Sequence, residues 1–237
     1  MNKLGSFVLA MSLVTAPAVS MAAYEGGDVK DGGSISGTVK FKGTAPAPKK
    51  LDVGKDKEVC AKTPKMDQSL IVEGGNLVNA VVTLTDIKKG KKIELKKVKL
   101  DQNGCEYSPH VLAFPAGTTV EVLNPDGILH NVHSYSKVNT PFNMAQPKFK
   151  KTLDVKVDKP EAVEVKCDVH GWMHGWLVAT ESPYVAVTDK SGSFKLDNVP
   201  AGSYTVELWH EKLGKSTQKV TVKAKEDAKV NFEVAGK

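Results

Sequence analysis

Val163-Glu164-Val165-Lys166-Cys167-Asp168-Val169-His170-Gly171-Trp172-Met173 changes character at its middle. Up to Cys167, Val163, Val165 and the cysteine share one face of an extended chain, while Glu164 and Lys166 share the other. That is the period of a half-buried β-strand. Cys167 therefore points inward at the end of a strand, and a short loop carrying an imidazole and a thioether follows it. Upstream, Leu129-His130-Asn131-Val132-His133 comes directly after the turn Asn124-Pro125-Asp126-Gly127. Alternation places His130 with Val132 on one face and Asn131 with His133 on the other, so His130 is the inner histidine; a β-bulge would reverse this.

Outward from this stretch the chain repeats short alternating segments, and no long stretch has helical periodicity. The expected fold is all-β. Candidate strands are Ile35–Phe41, Ala80–Leu84, Thr119–Leu123, Ala162–Cys167, Trp176–Ala179, Tyr184–Thr188, Ser193–Leu196, Tyr204–Leu208, Lys219–Val222 and Val230–Val234. Turn chemistry separates them at Asp189-Lys190-Ser191-Gly192, Pro115-Ala116-Gly117 and Pro200-Ala201-Gly202. The two Pro-Ala-Gly runs read as one turn solution used twice.

Cys167, His170 and Met173 fall on one loop, and His130 closes the set from a neighbouring strand. A soft thiolate, two imidazoles and a weak axial thioether form the donor set of a mononuclear blue-copper site, in which the geometry changes little between Cu(I) and Cu(II). His110, His133, His174 and His210 read as surface or hydrogen-bonding histidines, and no second metal site is expected.

The first residues carry Lys3, an apolar run from Phe7 to Val14 and the small residues Ser20-Met21-Ala22. This is the pattern of a secretory signal over residues 1–22. The run is too short to span a bilayer, no second long apolar stretch follows, and no cysteine sits at the cleavage site to take a lipid. The periplasm is the expected compartment. Removing Lys3 lowers the formal charge from +6 to +5 on side chains, a modest bias that suits an acidic protein partner. The lysines at 88, 89, 91, 92, 96, 97 and 99 read as a solvated turn between strands. Export and the lack of a binding motif argue against nucleic acid.

Three cysteines in an oxidising compartment leave one unpaired. Cys167 lies among ligand-type neighbours, whereas Cys60 and Cys105 lie in polar, turn-like surroundings. The expected disulfide is Cys60 with Cys105; the competing reading keeps all three reduced.

The tail from Tyr184 to Val234, with Val187-Thr188-Asp189-Lys190-Ser191-Gly192-Ser193-Phe194 and Val199-Pro200-Ala201-Gly202-Ser203-Tyr204-Thr205-Val206, resembles the carboxypeptidase regulatory-like domain, a prealbumin-like β-sandwich. That resemblance implies earlier strands like Ile35-Ser36-Gly37-Thr38-Val39 and Asn79-Ala80-Val81-Val82-Thr83-Leu84, which here lie far upstream. One sandwich is expected from residues 34–87 plus 183–235, with the copper domain inserted over 88–182. Three sequential pieces are the alternative, but a tail of about 50 residues is marginal as a sandwich.

The runs Tyr107-Ser108-Pro109-His110-Val111-Leu112, Pro115-Ala116-Gly117-Thr118-Thr119-Val120, His130-Asn131-Val132-His133 and Cys167 through Gly175 resemble the cupredoxins, in particular the amicyanin group. The resemblance covers about residues 93–180. It implies a Greek-key sandwich with His130, Cys167 and His170 as equatorial ligands, Met173 as axial ligand, and Asn131 tying the ligand loop to the strand of His130. It also implies an exposed edge on His170, with Trp172 as a possible docking residue beside it. Gly171 and His174 depart from that group, which has proline and a basic residue there.

The expected function is a periplasmic one-electron carrier that is not an enzyme. Its partner would be a redox protein such as a c-type cytochrome or a periplasmic dehydrogenase. No clustered H-x-H pairs, catalytic triad or paired carboxylates suggest other chemistry. Copper trafficking or storage, and a structural or interaction module of a periplasmic assembly, are the alternatives.

Overall fold

The computed structural model describes residues 24–236. The expected export signal over 1–22 lies outside them. Among the described residues, the one α-helix is the single turn Lys57–Cys60, and strands make up most of the rest. The all-β expectation holds.

The strands gather around two hydrophobic clusters. One is lined by Leu100, Phe114, Val120, Val122, Val132, Val163, Val165 and Leu177, and it contains Cys167 and Met173. Its sandwich has a five-stranded sheet in the order Val111–Pro115, His174–Thr180, Glu161–Lys166, His130–Tyr135, Asn143–Gln146. A three-stranded sheet faces it, in the order Thr152–Lys156, Thr119–Leu123, Val98–Asp101. Alternation does the sorting here: in Thr152–Lys156 only Leu153 and Val155 are buried, and in Glu161–Lys166 only Val163 and Val165 are.

The other cluster is lined by Ile35, Val39, Leu77, Val82, Tyr184, Leu196, Val206, Leu208 and Phe232. Its sheets combine early and late segments of the chain. Val81–Leu84 lies between Val185–Val187 and Gly202–His210. Gly33–Lys42 pairs antiparallel with Ser193–Val199 and parallel with Asp227–Lys229 and Phe232–Ala235. We call this the outer sandwich. The two sandwiches meet at a seam of Val81, Val111 and Val178, where the rings of Trp176 and Trp209 pack edge to face at 5.1 Å.

The two Pro-Ala-Gly turns differ, contrary to the expectation of a repeated solution. Gly117 holds a φ of +83° that favours glycine, and its N–H donates to Val157 O at 2.9 Å. Gly202 has no positive φ and begins a strand. Part of the lysine-rich stretch is also a strand, since Lys89–Lys91 pairs in parallel with Glu25–Gly27.

One excursion from the early half reaches across. Val53, Val59 and Cys60 pack on the cluster around Cys167, and a disulfide joins Cys60 to Cys105. Closing a loop of 45 residues stabilises the fold by about 4 kcal/mol on the chain-entropy model.

Candidate metal centre

The antiparallel pair Glu161–Lys166 and His174–Thr180 positions the ligand loop. Its last register pair, Lys166 with His174, leaves residues 167–173 as the connection. Within that loop Met173 N–H donates to His170 O at 2.9 Å, and Cys167 N–H donates to Met173 O at 3.2 Å. The loop is thus closed on itself. The neighbouring strand pairs His133 with Lys166, so His130 sits beyond the end of the ladder, level with the loop.

Three donor atoms converge there. Cys167 Sγ lies 3.9 Å from His130 Nδ1 and 3.7 Å from His170 Nδ1. The two Nδ1 atoms are 3.0 Å apart. One ion bound in a trigonal plane, at about 2.3 Å from sulfur and about 2.0 Å from nitrogen, would span edges of about 3.7 and 3.5 Å. The observed triangle fits that ion after a small outward shift of the two rings. His130 and His170 are 0% exposed, and Cys167 and Met173 2%. The donor set therefore suits copper: a thiolate and two imidazoles in a site without water contact, with a thioether in the same core.

Carboxylates hold both imidazoles from behind. His130 Nε2 lies 3.0 Å from Asp126 Oδ2, and His170 Nε2 lies 2.8 Å from Asp56 Oδ2. With Nε2–H donated outward, each Nδ1 can give up the proton it shares with the Cys167 sulfur and offer its lone pair to an ion at the centre. The disulfide ties these supports together. Gly104 and Cys105 N–H donate to Asp126 at 2.7 and 2.8 Å, Trp172 Nε1–H donates to Cys105 O at 3.0 Å, and Cys60 ends the helical turn that Asp56 begins.

Charge follows this wiring. Burial pushes the Cys167 thiol up, but hydrogen bonds from His130 and His170 outweigh it and bring the pKa down to about 6. Burial alone would depress His130, yet Asp126 and the Cys167 sulfur leave it raised. Burial likewise works against Asp126 ionising, and the donors around it still hold its carboxyl low. A thiolate is thus favoured before any metal arrives.

Asn131 spans the gap expected of it. Its Oδ1 accepts from Asp168 N–H at 2.7 Å, and its Nδ2 donates to Asp168 Oδ2 at 2.9 Å. His133 points away from the centre and contacts Asp168 instead, at 3.1 Å.

One expectation changes: His170 has no exposed edge, because the excursion bearing Asp56 covers it. Trp172 is half-buried, packed on the core and fixed through its N–H. His110 and His210 are buried, and each is hydrogen-bonded: His110 to Glu211, and His210 Nδ1 to Lys212 N–H at 3.2 Å.

Sequence reading missed Asp56, Asp126 and Tyr107, whose hydroxyl donates to Asn131 O at 2.6 Å. Asp126, four residues before His130, was visible only as part of a turn. Asp56 gives no local signal, since 114 residues separate it from His170.

Residues 177–235 match the family model for the carboxypeptidase regulatory-like domain. The match begins inside the last strand of the Cys167 sandwich and runs to the end of the outer one. None of the curated proteins matches this sequence. Among solved structures, the chain is similar to a purple cupredoxin from Nitrosopumilus maritimus, at 21% identity and a TM-score of 0.31, over 35% of this chain and 99% of that one. It is similar to amicyanin from Paracoccus versutus at 18% identity and a TM-score of 0.32, over 42% and 97%. A copper-containing nitrite reductase from Thermus scotoductus SA-01 is similar at 23% identity and a TM-score of 0.35, over 42% of this chain but only 25% of that enzyme. Residues 177–235 are thus similar to the carboxypeptidase regulatory-like domain, and the chemistry of the site is argued from its own side chains.

Proposed function

We propose that this chain is a copper protein that carries single electrons between redox partners in the periplasm. In this reading residues 1–22 direct export, 34–87 and 183–235 form one unit, and 88–182 form the inserted copper domain. His130, Cys167 and His170 would hold the ion, and Met173, buried in the same core, would supply a thioether ligand. The supporting observation is the buried triangle of Cys167 Sγ, His130 Nδ1 and His170 Nδ1. Copper held by such donors exchanges one electron between Cu(I) and Cu(II) with little geometric change.

The protein's share of the work is to hold that geometry. Asp126 and Asp56 fix the ring tautomers, Asn131 fixes the loop, and the apolar cluster excludes water. Electrons leave through the cover rather than over a bare ring edge. Trp172, packed 5.1 Å from the His170 ring, lies on that route. A c-type cytochrome or a periplasmic dehydrogenase has the chemistry of a suitable partner. Among the described residues no helix is long and apolar enough to cross a membrane.

Copper storage or delivery is the second reading, favoured by the closed cover over His170. One experiment separates the two. Adding one equivalent of Cu(II) to the purified apoprotein should give an intense thiolate-to-copper visible band, a narrow copper hyperfine pattern in electron paramagnetic resonance, and reversible redox cycling. A protein that holds Cu(I) but forms no stable coloured Cu(II) state is a store or a courier. A colourless Cu(II) complex with ordinary hyperfine splitting would sink the carrier reading.

A further inference from the structure

A second group of donors sits at the seam between the sandwiches. His110 precedes the strand Val111–Pro115, His174 opens the strand His174–Thr180, and Glu211 lies in the turn between Gly202–His210 and Gly214–Val222 of the outer sandwich. Their ligand atoms all lie within 4.8 Å of one another. His110 Nε2 is 2.5 Å from Glu211 Oε1, His174 Nε2 is 3.8 Å from Glu211 Oε2, and the two imidazoles meet edge to face at 4.9 Å.

The group is built into the protein rather than scattered over its surface. Side-chain exposure is 2% for His110, 6% for Glu211 and 23% for His174. Backbone contacts fix the two histidines relative to each other. Trp176 N–H donates to His110 O at 2.8 Å, and a Cβ on Gly175 would stand 2.9 Å from that same oxygen, so only glycine lets the segments approach this closely. A carboxylate drawn from water to lie between two imidazoles costs free energy unless a positive charge compensates it. A cavity of about 10 Å³ beside them is lined by Glu106, His110, Trp172, Met173 and His174. It has room for one water molecule.

We propose that His110, His174 and Glu211 bind a divalent transition-metal ion of the Zn(II) class that clamps the two sandwiches, with water from the adjoining cavity completing its coordination. Two imidazoles and a carboxylate with one position left for water are a zinc-type donor set, and without a thiolate they do not favour Cu(I). The outer sandwich contributes Glu211, so the site is complete only when both sandwiches are docked. His174 directly follows Met173, which places this ion at the foot of the Cys167 loop.

The test uses the full chain loaded with one equivalent of copper, to which one equivalent of Zn(II) is added before gel filtration and metal analysis. The expected result is one zinc retained per chain, an unchanged copper spectrum, and a melting temperature raised by roughly 5–10 °C when free zinc exceeds its dissociation constant a hundredfold. Glu211→Gln and His110→Ala should each keep the copper spectrum and lose the zinc and the thermal shift. Glu211→Gln preserves shape, and its circular dichroism shows whether it folds. Zinc that is not retained, that is held equally by Glu211→Gln, or that displaces the copper overturns the proposal. A copper complex without a blue band would count against the carrier reading alone, because zinc retention and its loss in Glu211→Gln are read independently.

Discussion

The interiors of the two sandwiches differ in what they bury beside aliphatic side chains. Around Cys167 lie His130, His170, Asn131, Asn124, Gln102, Gln146 and Ser134, all buried. The outer sandwich buries far less polar material, chiefly Thr188, whose hydroxyl donates to Leu77 O at 2.8 Å, and His210. Polar groups inside a protein are costly unless paired. On the Cys167 side they are mostly paired with one another: Gln102 Nε2 donates to Gln146 Oε1 at 2.7 Å, and Asn124 Nδ2 donates to Ile128 O and Gln146 O. Gln102 Oε1 and Asn124 Oδ1 remain unpaired. A network of this kind fixes a loop and two rings in one arrangement, whereas the outer sandwich supplies cohesion and the carboxylate of Glu211.

The largest test of this contrast is Cys167→Ser, which should abolish the visible copper band completely while leaving the outer sandwich folded, as read by its near-ultraviolet circular dichroism. Next come two matched truncations, Leu177→Ala and Leu208→Ala, at fully and almost fully buried positions. Each should cost about 2–5 kcal/mol in denaturant unfolding. Only Leu177→Ala should also broaden the copper spectrum, and equal spectral effects would erase the distinction between the two cores.

Asp56→Asn removes the charge behind His170 but keeps the shape of the side chain. Copper affinity measured by chelator competition should fall about 10- to 100-fold, with little loss of stability. The smallest effect is pH dependence. Burial opposes ionisation of Glu161, but Ser136, Asn139 and the N–H groups of Lys137 and Val138 bring its pKa down to about 2. Lys229, Ser36 and Ser34 bring Asp227 in the outer sandwich to about 2 as well. The unfolded chain takes up these protons first, so both contributions are whole above about pH 4.5 and disappear as pH falls through 2. Glu161→Gln and Asp227→Asn should each flatten part of that decline in acid unfolding curves, Glu161→Gln only for the copper-side transition.

Much of the fold was legible because side-chain alternation is a local signal. Val163, Val165 and Cys167 announced their own strand and its inward face, and His130 with Val132 did the same. The Cys60 to Cys105 disulfide followed from what surrounded the third cysteine. The loop Cys167–Met173 was legible as a donor set because its chemistry is contiguous. What escaped was long-range. Asp56 covers His170 from a segment more than a hundred residues upstream, and Glu211 meets His110 and His174 only after the sandwiches dock. The exposed edge implied for His170 failed for the same reason, since nothing near residue 170 records what lies on top of it.

The pairing of Gly33–Lys42 with strands near the end of the chain sets an order on biogenesis. A polypeptide made N-terminus first can complete the continuous stretch from Val98 to Thr180 early, since its strands pair mainly among themselves. The first long strand gains an early partner only near its end, where Lys40 pairs with Asn76, and the rest of its edges stay open until more than 150 further residues have been made. During that interval it is a target for holdase chaperones and for mispairing between nascent copies.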